Sequence, residues 1–523
     1  MGGPNYSRVH YWRNRLAILA TILLTCAAPG AQALDAKKEK NAAGVQAADV
    51  YDVIERARKA LAAEQYAEAG KAIDSVLQMP AFAELPGSDQ FRVFMIAVFA
   101  AQGAQDYLGA HEFLSIATEF PDATANAWRM RVSLATFVDD WTDAGSALTT
   151  LAKRWPDALA KLDDHTVARI AAKMHDNPKL AADRLELLKA LFSARFTYRW
   201  DTQPSALWRD LALDALQRKD LARAREIQQR ITSALTLVSM RADRRYDELL
   251  RAEPKAFDVA AAANAECRRL RRVVDDHPRD LDPVVQYLYA LFIVGGYKEM
   301  LTLTDKVLAR NSAATTDKPV FDDVADQLNW IYDLRAQALM RLGRWNEGLS
   351  VQKAGREQRE TSSDKVSQAI NLGFTFNAMG RPDDALKSLE GIDWANSLSG
   401  YGRMQLQQVR LRANLQLGKR AEAEEIYAYL REHRADAPDA WLDTLLDWGE
   451  TDEAAAQYIE SLRDPEKRAD ALYKAQNFRE SPQLPKVAAE HARWQAFLAR
   501  PDVAAAIREV GRREKQPVYY FLE

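Results

Sequence analysis

The chain has 523 residues, of which 48% are hydrophobic and 28% are charged, with only 22 Gly and 19 Pro. This is the composition of an ordinary globular protein, and it excludes a disordered chain, a collagen-like fibre and a multi-span membrane protein. The net charge of −3 gives no reason to expect nucleic acid as a partner, and two cysteines are too few for a disulfide scaffold.

Residues 1–33 have the pattern of a secretory signal peptide. Three arginines precede an apolar stretch at 16–28, and the A-x-A sequence at 31–33 supplies a cleavage site. The stretch is shorter than the ~20 residues that a spanning helix needs. The pattern therefore predicts a cleaved signal and a periplasmic or secreted protein. Two alternatives stay open, an uncleaved anchor through 16–28 or a lipidated Cys26, and membrane contact is expected only in those cases.

A repeated pattern follows a polar segment, 34–49, that is expected to be a flexible lead-in. Nine times, a helical stretch is followed by a short turn and then by a second helix with one position, usually a small residue, near its start. This position is occupied by Ala69, Ala110, Ala144, Ala224, Met300, Gly348, Ala385, Ala423 and Ala454. Several of the intervals, 41, 34, 37, 38 and 31 residues, are typical of repeats built from paired helices.

This pattern resembles the tetratricopeptide repeat (TPR) family, whose unit is two antiparallel helices in about 34 residues. In the best match, 128–156, Trp128, Ala144 and Pro156 stand at the family's aromatic, small and proline positions. The resemblance covers most of residues 50–465. It implies an all-α, right-handed superhelical solenoid that binds protein or peptide partners in a groove lined by the first helices. Strand signals are almost absent, as such a fold requires.

The repeats divide the chain after the lead-in into four parts. These are TPR-like repeats at 50–156, irregular or degenerate helical repeats at 157–280, TPR-like repeats at 281–465, and a helical C-terminal cap and tail at 466–523. The polar segment 311–323 is expected to be a long loop or a hinge between the arrays. The apolar residues that end the chain are expected to pack against the final repeat.

The sequence contains no recognisable catalytic motif. It has no phosphate loop, no G-x-S-x-G and no G-x-G-x-x-G, and no two of its seven His are four residues apart. We therefore predict no catalytic residue, no metal site and no cofactor. The aspartate pairs 139–140 and 383–384 fall in interhelical turns, where they are expected to cap helices. Cys267 is expected to be an inert helix residue.

Two groups of residues are binding candidates. They are the basic run Arg268, Arg269, Arg271 and Arg272, and the aromatic residues Trp330, Trp394 and Tyr401. The basic run suits an acidic partner or an anionic glycan, although a solvated helix face is the simpler interpretation; aromatic residues often anchor interfaces.

Together these features predict an exported TPR-type scaffold that mediates protein–protein interaction in the cell envelope, with a protein or peptide partner and no nucleic acid. The alternatives are a subunit for envelope polysaccharide binding or export, for which a glycan is the ligand, and an enzyme with an unrecognised site in the middle section.

Overall fold

The structure is a computed structural model that describes residues 42–313, 319–357, 365–393 and 398–520. The expected signal peptide, Cys26 and Trp394 lie outside these residues, so the expectations of cleavage, anchoring or lipidation stay predictions. Within the described ranges, no helix combines the length and apolar character that a membrane crossing requires.

The chain folds as two compact units, and the first of them ends at Leu211. We call residues 42–211 the N-terminal unit. Its helices are α1 (Ala42–Ala62), α2 (Tyr66–Leu77), α3 (Gly87–Gly103), α4 (Tyr107–Ala117), α5 (Ala125–Phe137), α6 (Trp141–Arg154), α7 (Asp164–His175) and α8 (Ala181–Ser193). The next helix, α9 (Ser205–Gln217), contains the boundary. Successive helices pack against each other as hairpins, first α1 with α2, then α3 with α4 and α5 with α6.

We call residues 212–520 the C-terminal unit. Its irregular first part contains α10 (Leu221–Gln228), α11 (Ala234–Ala242), α12 (Asp247–Ala252) and α13 (Val259–Asp276). Five hairpins follow, built from α14 (Asp282–Val294) and α15 (Tyr297–Ser312), α16 (Val324–Arg341) and α17 (Trp345–Arg356), α18 (Lys365–Ala378) and α19 (Pro382–Ser388), α20 (Gly400–Leu417) and α21 (Arg420–Glu432), and α22 (Pro438–Trp448) and α23 (Thr451–Arg463).

The end of the C-terminal unit is only partly helical. It contains α24 (Arg468–Lys474), β1 (Asn477–Arg479), α25 (Pro485–Leu498), α26 (Pro501–Val510) and β2 (Lys515–Tyr519). The strands β1 and β2 pair in parallel. This small sheet was not expected from the sequence, because strands of three and five residues leave too little alternation to detect. Elsewhere the expectation of an all-α helical-repeat solenoid is confirmed.

The close approach of paired helices explains the repeated small residue. All nine positions of the pattern are buried, and seven of them are Ala. At Gly348, a Cβ atom would lie 2.9 Å from the carbonyl oxygen of Ala336 and 2.8 Å from the side chain of Met340. A side chain there would therefore push α17 away from α16, because close-packed helices tolerate little extra volume.

Aspartates in the short turns fix the starts of several second helices. The carboxylates of Asp106, Asp140 and Asp220 accept hydrogen bonds from backbone N–H groups three residues on, at 2.9–3.0 Å. This arrangement satisfies an otherwise unpaired donor of the first turn. The expected capping is thus confirmed for Asp140. The pair 383–384 instead lies inside the first turn of α19, where Asp384 pairs with Arg381.

The structure bears on two of the expected segments. Helix α1 begins at Ala42, inside the segment 34–49 that we expected to be a flexible lead-in. The segment 311–323 lies within the C-terminal unit, so it does not separate two units. Its end is held in place, because the carboxylate of Asp323 accepts hydrogen bonds from the backbone N–H groups of Leu281 and Asp282, both at 2.8 Å.

Candidate binding surfaces

The first helices of the C-terminal unit carry a row of polar side chains across neighbouring repeats. Arg412 of α20 donates to the carboxylate of Asp447 on α22 at 2.7 Å, and its guanidinium lies 5.7 Å from the ring centre of Phe374 on α18. Gln416 donates to the backbone carbonyl of Asn377 at 3.2 Å. We call the polar side chains of Arg412, Gln416, Asp443 and Asp447 the first-helix row.

The first-helix row meets side chains from the end of the same chain. On α25, Arg493 donates to Asp447 at 2.5 Å and Glu490 lies 3.7 Å from Arg412. The side chain of Asp447 is only 6% exposed, so its two guanidinium partners compensate a charge that is largely removed from water. Although burial opposes it, the surrounding carboxylates, chiefly Asp447 and then Glu490, raise the pKa of Arg412.

Asp443 is the carboxylate of the first-helix row that retains solvent access. Desolvation by the surrounding protein, reinforced by the charge of Asp447, raises the pKa of Asp443 to about 6, although Arg412 acts in the opposite direction.

The segment 477–520, which we call the C-terminal segment, crosses the ends of several first helices. Arg341 at the end of α16 donates to the hydroxyl of Ser481 at 2.8 Å. Tyr519 packs edge-to-face on Tyr297, with ring centres 5.4 Å apart, and Val518 is 1% exposed. Val518 and Tyr519 thus pack at the first of the five hairpins, whereas Tyr520 packs on Tyr473 of α24, with ring centres 5.8 Å apart. The expectation that the apolar end of the chain packs against the final repeat stays a prediction, because it extends to residues outside the described ranges.

The C-terminal segment also joins the beginning of its unit to the end. The backbone N–H of Arg512 donates to the carbonyl oxygen of Ala242 at 2.9 Å, and the Arg512 side chain pairs with Asp247. Arg241 pairs with Glu514 at 2.9 Å. Since α11 also packs on α24, contacts between residues about 270 positions apart close the C-terminal unit.

A buried ion cluster links three helices of the N-terminal unit. Arg131 of α5 binds the carboxylate of Asp143 on α6 with two nitrogens, and His111 Nε2 of α4 lies 2.8 Å from the same carboxylate. Each of the three side chains is less than 15% exposed. Burial alone would raise the pKa of Asp143, but the hydrogen bonds from His111 and Arg131 outweigh it and lower the pKa to about 2.

This lowered pKa predicts a loss of stability in acid. The Asp143 carboxylate has an ordinary pKa of 3.8, so its contribution of about 2 kcal/mol is complete above pH 4 and is lost as the pH falls towards 2. We expect the difference in unfolding free energy between the wild type and Asp143→Asn, measured by urea denaturation from pH 2 to pH 6, to shrink over this interval. For the control Asp157→Asn, at an exposed position, the difference in unfolding free energy from the wild type should not change with pH. If the difference for Asp143→Asn also did not change with pH, the lowered pKa of Asp143 would be wrong.

The structure places the predicted binding residues on three helices. Arg268, Arg271 and Arg272 are exposed on α13, whereas Arg269 is half-buried and pairs with Glu266 at 2.6 Å. Arg271 lies 3.5 Å from Glu299.

The two described aromatic candidates differ in exposure. Trp330 on α16 is half-buried and packs on the core that contains Leu288 and Ile331. Tyr401 near the start of α20 is 39% exposed. The sequence singled out these residues but missed the first-helix row, because Arg412 and Asp447 have no unusual spacing and become partners only when α20 and α22 stack.

Cys267 lies on the less exposed side of α13. Burial, together with the charges of Glu266 and Glu299, raises the pKa of the Cys267 thiol to about 11, which agrees with the expectation of an inert residue. In a Cys26→Ser chain, Cys267 should react with a disulfide reagent at pH 8 about a hundredfold more slowly than in urea, because the thiolate is the reactive form. Equal rates would show that the thiol is accessible and ordinary.

The described residues contain no group of three or more His, Cys, Asp or Glu arranged to hold a metal ion. The closest ionic clusters, around Asp143 and Asp447, pair carboxylates with guanidinium groups. Such pairing orients and stabilises side chains.

Comparisons with known proteins find similarity only among solved structures. No family model and no curated protein matches the chain. It aligns with the APC/C hetero-tetramer Cut9–Hcn1 at 14% identity over 87% of this chain and 84% of that chain, with a TM-score of 0.28. For yeast Tom70 the identity is 12%, the coverage 88% and 99%, and the TM-score 0.29. For the TPR domain of P58(IPK) the identity is 15%, the coverage is 79% of this chain and 99% of that chain, and the TM-score is 0.19. The helical-repeat fold is therefore shown by the chain's own paired helices.

Proposed function

We propose that this chain is an exported, non-catalytic scaffold of the TPR type that binds a protein partner in the cell envelope. The observation that carries the proposal is that first helices of the C-terminal unit hold the C-terminal segment, through Arg412 and Asp447 of the first-helix row and through Arg341 of α16. A surface that binds a segment of its own chain by paired charges has the chemistry that recognition of a partner segment needs.

The N-terminal unit offers a surface for such a partner. Leu108 and Ile116, on the outer side of α4, are 65% and 44% exposed, and they are two of the three most exposed large apolar side chains of the described residues. They are eight residues apart, so they lie on one side of the helix, with the exposed Glu112 between them. Apolar anchors within a polar rim are typical of protein interfaces.

The proposal is tested by capture of partners with the tagged full-length chain from envelope extracts, followed by reciprocal capture and mass spectrometry. We expect the Leu108→Asp/Ile116→Asp chain to lose its partner and the matched Glu112→Ala chain to keep it. A chain that captures no reciprocally confirmed protein from the envelope would overturn the proposal.

Export is tested separately on the same material. We expect N-terminal sequencing to give a chain that begins at Leu34, since the A-x-A sequence at 31–33 sets that cleavage point. A chain retained in the cytosol with residues 1–33 intact would remove the cell-envelope part of the proposal.

A further inference from the structure

A cationic surface lies along one side of α13 and beside β2. It consists of Lys255, Arg268, Arg272 and Lys515, all exposed. Within the part of the chain that the structure describes, none of these four side chains forms an ion pair. They differ in this from their neighbours Arg241, Arg269 and Arg271, which pair with Glu514, Glu266 and Glu299.

The spacing along α13 keeps the arginines on one exposed side. Ala261, Ala265, Arg268 and Arg272 are exposed, at intervals of four, three and four residues. Residues at these intervals share one side of an α-helix. The two alanines leave that side open between the arginines and the beginning of the helix, where Lys255 lies.

A recess of about 450 Å³ opens at the beginning of α13. Lys255 and Lys515 line it, together with Arg241 and the apolar residues Pro254, Val259 and Pro517. The carboxylate of Asp258 also lines the recess, but it accepts a hydrogen bond from the backbone N–H of Ala261 at 2.9 Å and so caps the helix. The recess therefore combines a floor suited to an apolar side chain with two lysines that form no ion pair among the described residues.

We propose that this α13 surface binds an acidic segment of a partner protein. An apolar side chain of that segment occupies the recess between Pro254 and Pro517, and flanking carboxylates pair with Lys255 and Lys515 and, along the helix, with Arg268 and Arg272. Guanidinium and ammonium groups bind carboxylates strongly when neither charge has another partner. The inference rests on the proposed scaffold function and specifies one partner chemistry for it.

The rest of the molecule favours an acidic protein segment over a long polyanion. The whole chain carries a net charge of −3, so it has no overall positive charge that would attract a long polyanion such as a nucleic acid or a sulfated glycan. A short acidic segment needs only the local cations. The apolar lining of the recess adds a contact that a sugar–phosphate backbone cannot make.

The test measures fluorescence anisotropy of a labelled peptide with four Glu-Glu-Leu repeats added to the full-length chain. We expect binding that weakens as NaCl rises from 50 to 300 mM, and no binding of the matching Gln-Gln-Leu peptide. The affinity of the Lys255→Glu/Lys515→Glu chain for the peptide should fall at least about tenfold, because two charge-assisted contacts become repulsive. The matched control Arg56→Glu/Lys59→Glu changes two exposed cations of α1 by the same total charge and should leave the affinity within twofold.

Three outcomes would overturn the inference. They are the absence of peptide binding, an equal loss in the α1 control, and tighter binding of a single-stranded DNA dodecamer with the same dependence on Lys255 and Lys515. The capture experiment keeps this inference separate from the scaffold function. If the Lys255→Glu/Lys515→Glu chain still captures the envelope partner although the peptide no longer binds, the scaffold function stands and this surface does not serve it.

Discussion

Replacing Arg412 by alanine should lower the free energy of unfolding of the C-terminal unit by about 3–5 kcal/mol. The Arg412 side chain is 19% exposed and holds Asp447, which is 6% exposed. Its removal leaves Asp447 with Arg493 alone and leaves Glu490 without its nearest guanidinium. Breaking a buried pair costs more than the pair contributes, because the remaining charge stays in a poorly solvated place.

Hydrogen–deuterium exchange measured by mass spectrometry can show whether this loss of stability is confined to the C-terminal unit. Peptides from α20, α22 and α25 should lose protection in the Arg412→Ala chain, whereas those from α1 to α6 should not. The exposed Arg218, which pairs with Asp214 through a side chain that is 62% exposed, supplies a control whose loss should cost at most about 1 kcal/mol. Equal effects of the two substitutions would show that the first-helix row contributes no more than a surface ion pair.

Replacing Gly511 by alanine should destabilise the same unit by about 1–3 kcal/mol and should act at a distance in sequence. A Cβ atom at Gly511 would meet the carbonyl oxygen of Ala242 and the side chain of Leu472 at less than 3 Å. The substitution therefore separates α11, α24 and the C-terminal segment where they close the unit. The backbone at this glycine is extended, so the effect comes from the close approach alone.

Exchange should rise in peptides covering 234–247 as well as in those covering 508–520. The matched control is Gly70→Ala on α2, where no atom lies within 4 Å of the added Cβ. That change should stabilise slightly, by about 0.5–1 kcal/mol, because glycine weakens a helix interior. If the Gly511 variant changed exchange only near its own position, the closure would contribute nothing to the distant helices.

The hairpins could be predicted from the sequence because their determinants are local. The small residue and the short turn before the second helix lie within a few residues of each other. In the structure the second helices begin at Tyr66, Tyr107 and Trp141, each three residues before its small residue. A structural feature that depends on neighbouring residues can be recognised in a single sequence.

The closure and the first-helix row could not be predicted, since their contacts join residues far apart in the chain. Nothing near Arg512 indicates that its partner is Asp247, and nothing near Arg412 indicates Asp447. The exposed arginines of α13 were found because they are adjacent in sequence. Arg269 pairs with Glu266 of the same helix, three residues earlier. The partner of Arg271 is Glu299 on α15, 28 residues away, and nothing near Arg271 in the sequence indicates it.

The closed C-terminal unit has a consequence for how the chain acquires its structure. Helical-repeat arrays can form stepwise as each repeat leaves the ribosome, because each contacts only its neighbours. Here the helices at 234–247 obtain their final partners only after about 265 further residues have been made, when Arg512 arrives. Until then these helices lack the contacts of Arg512 and Glu514, so we expect them to open more readily than they do in the complete unit.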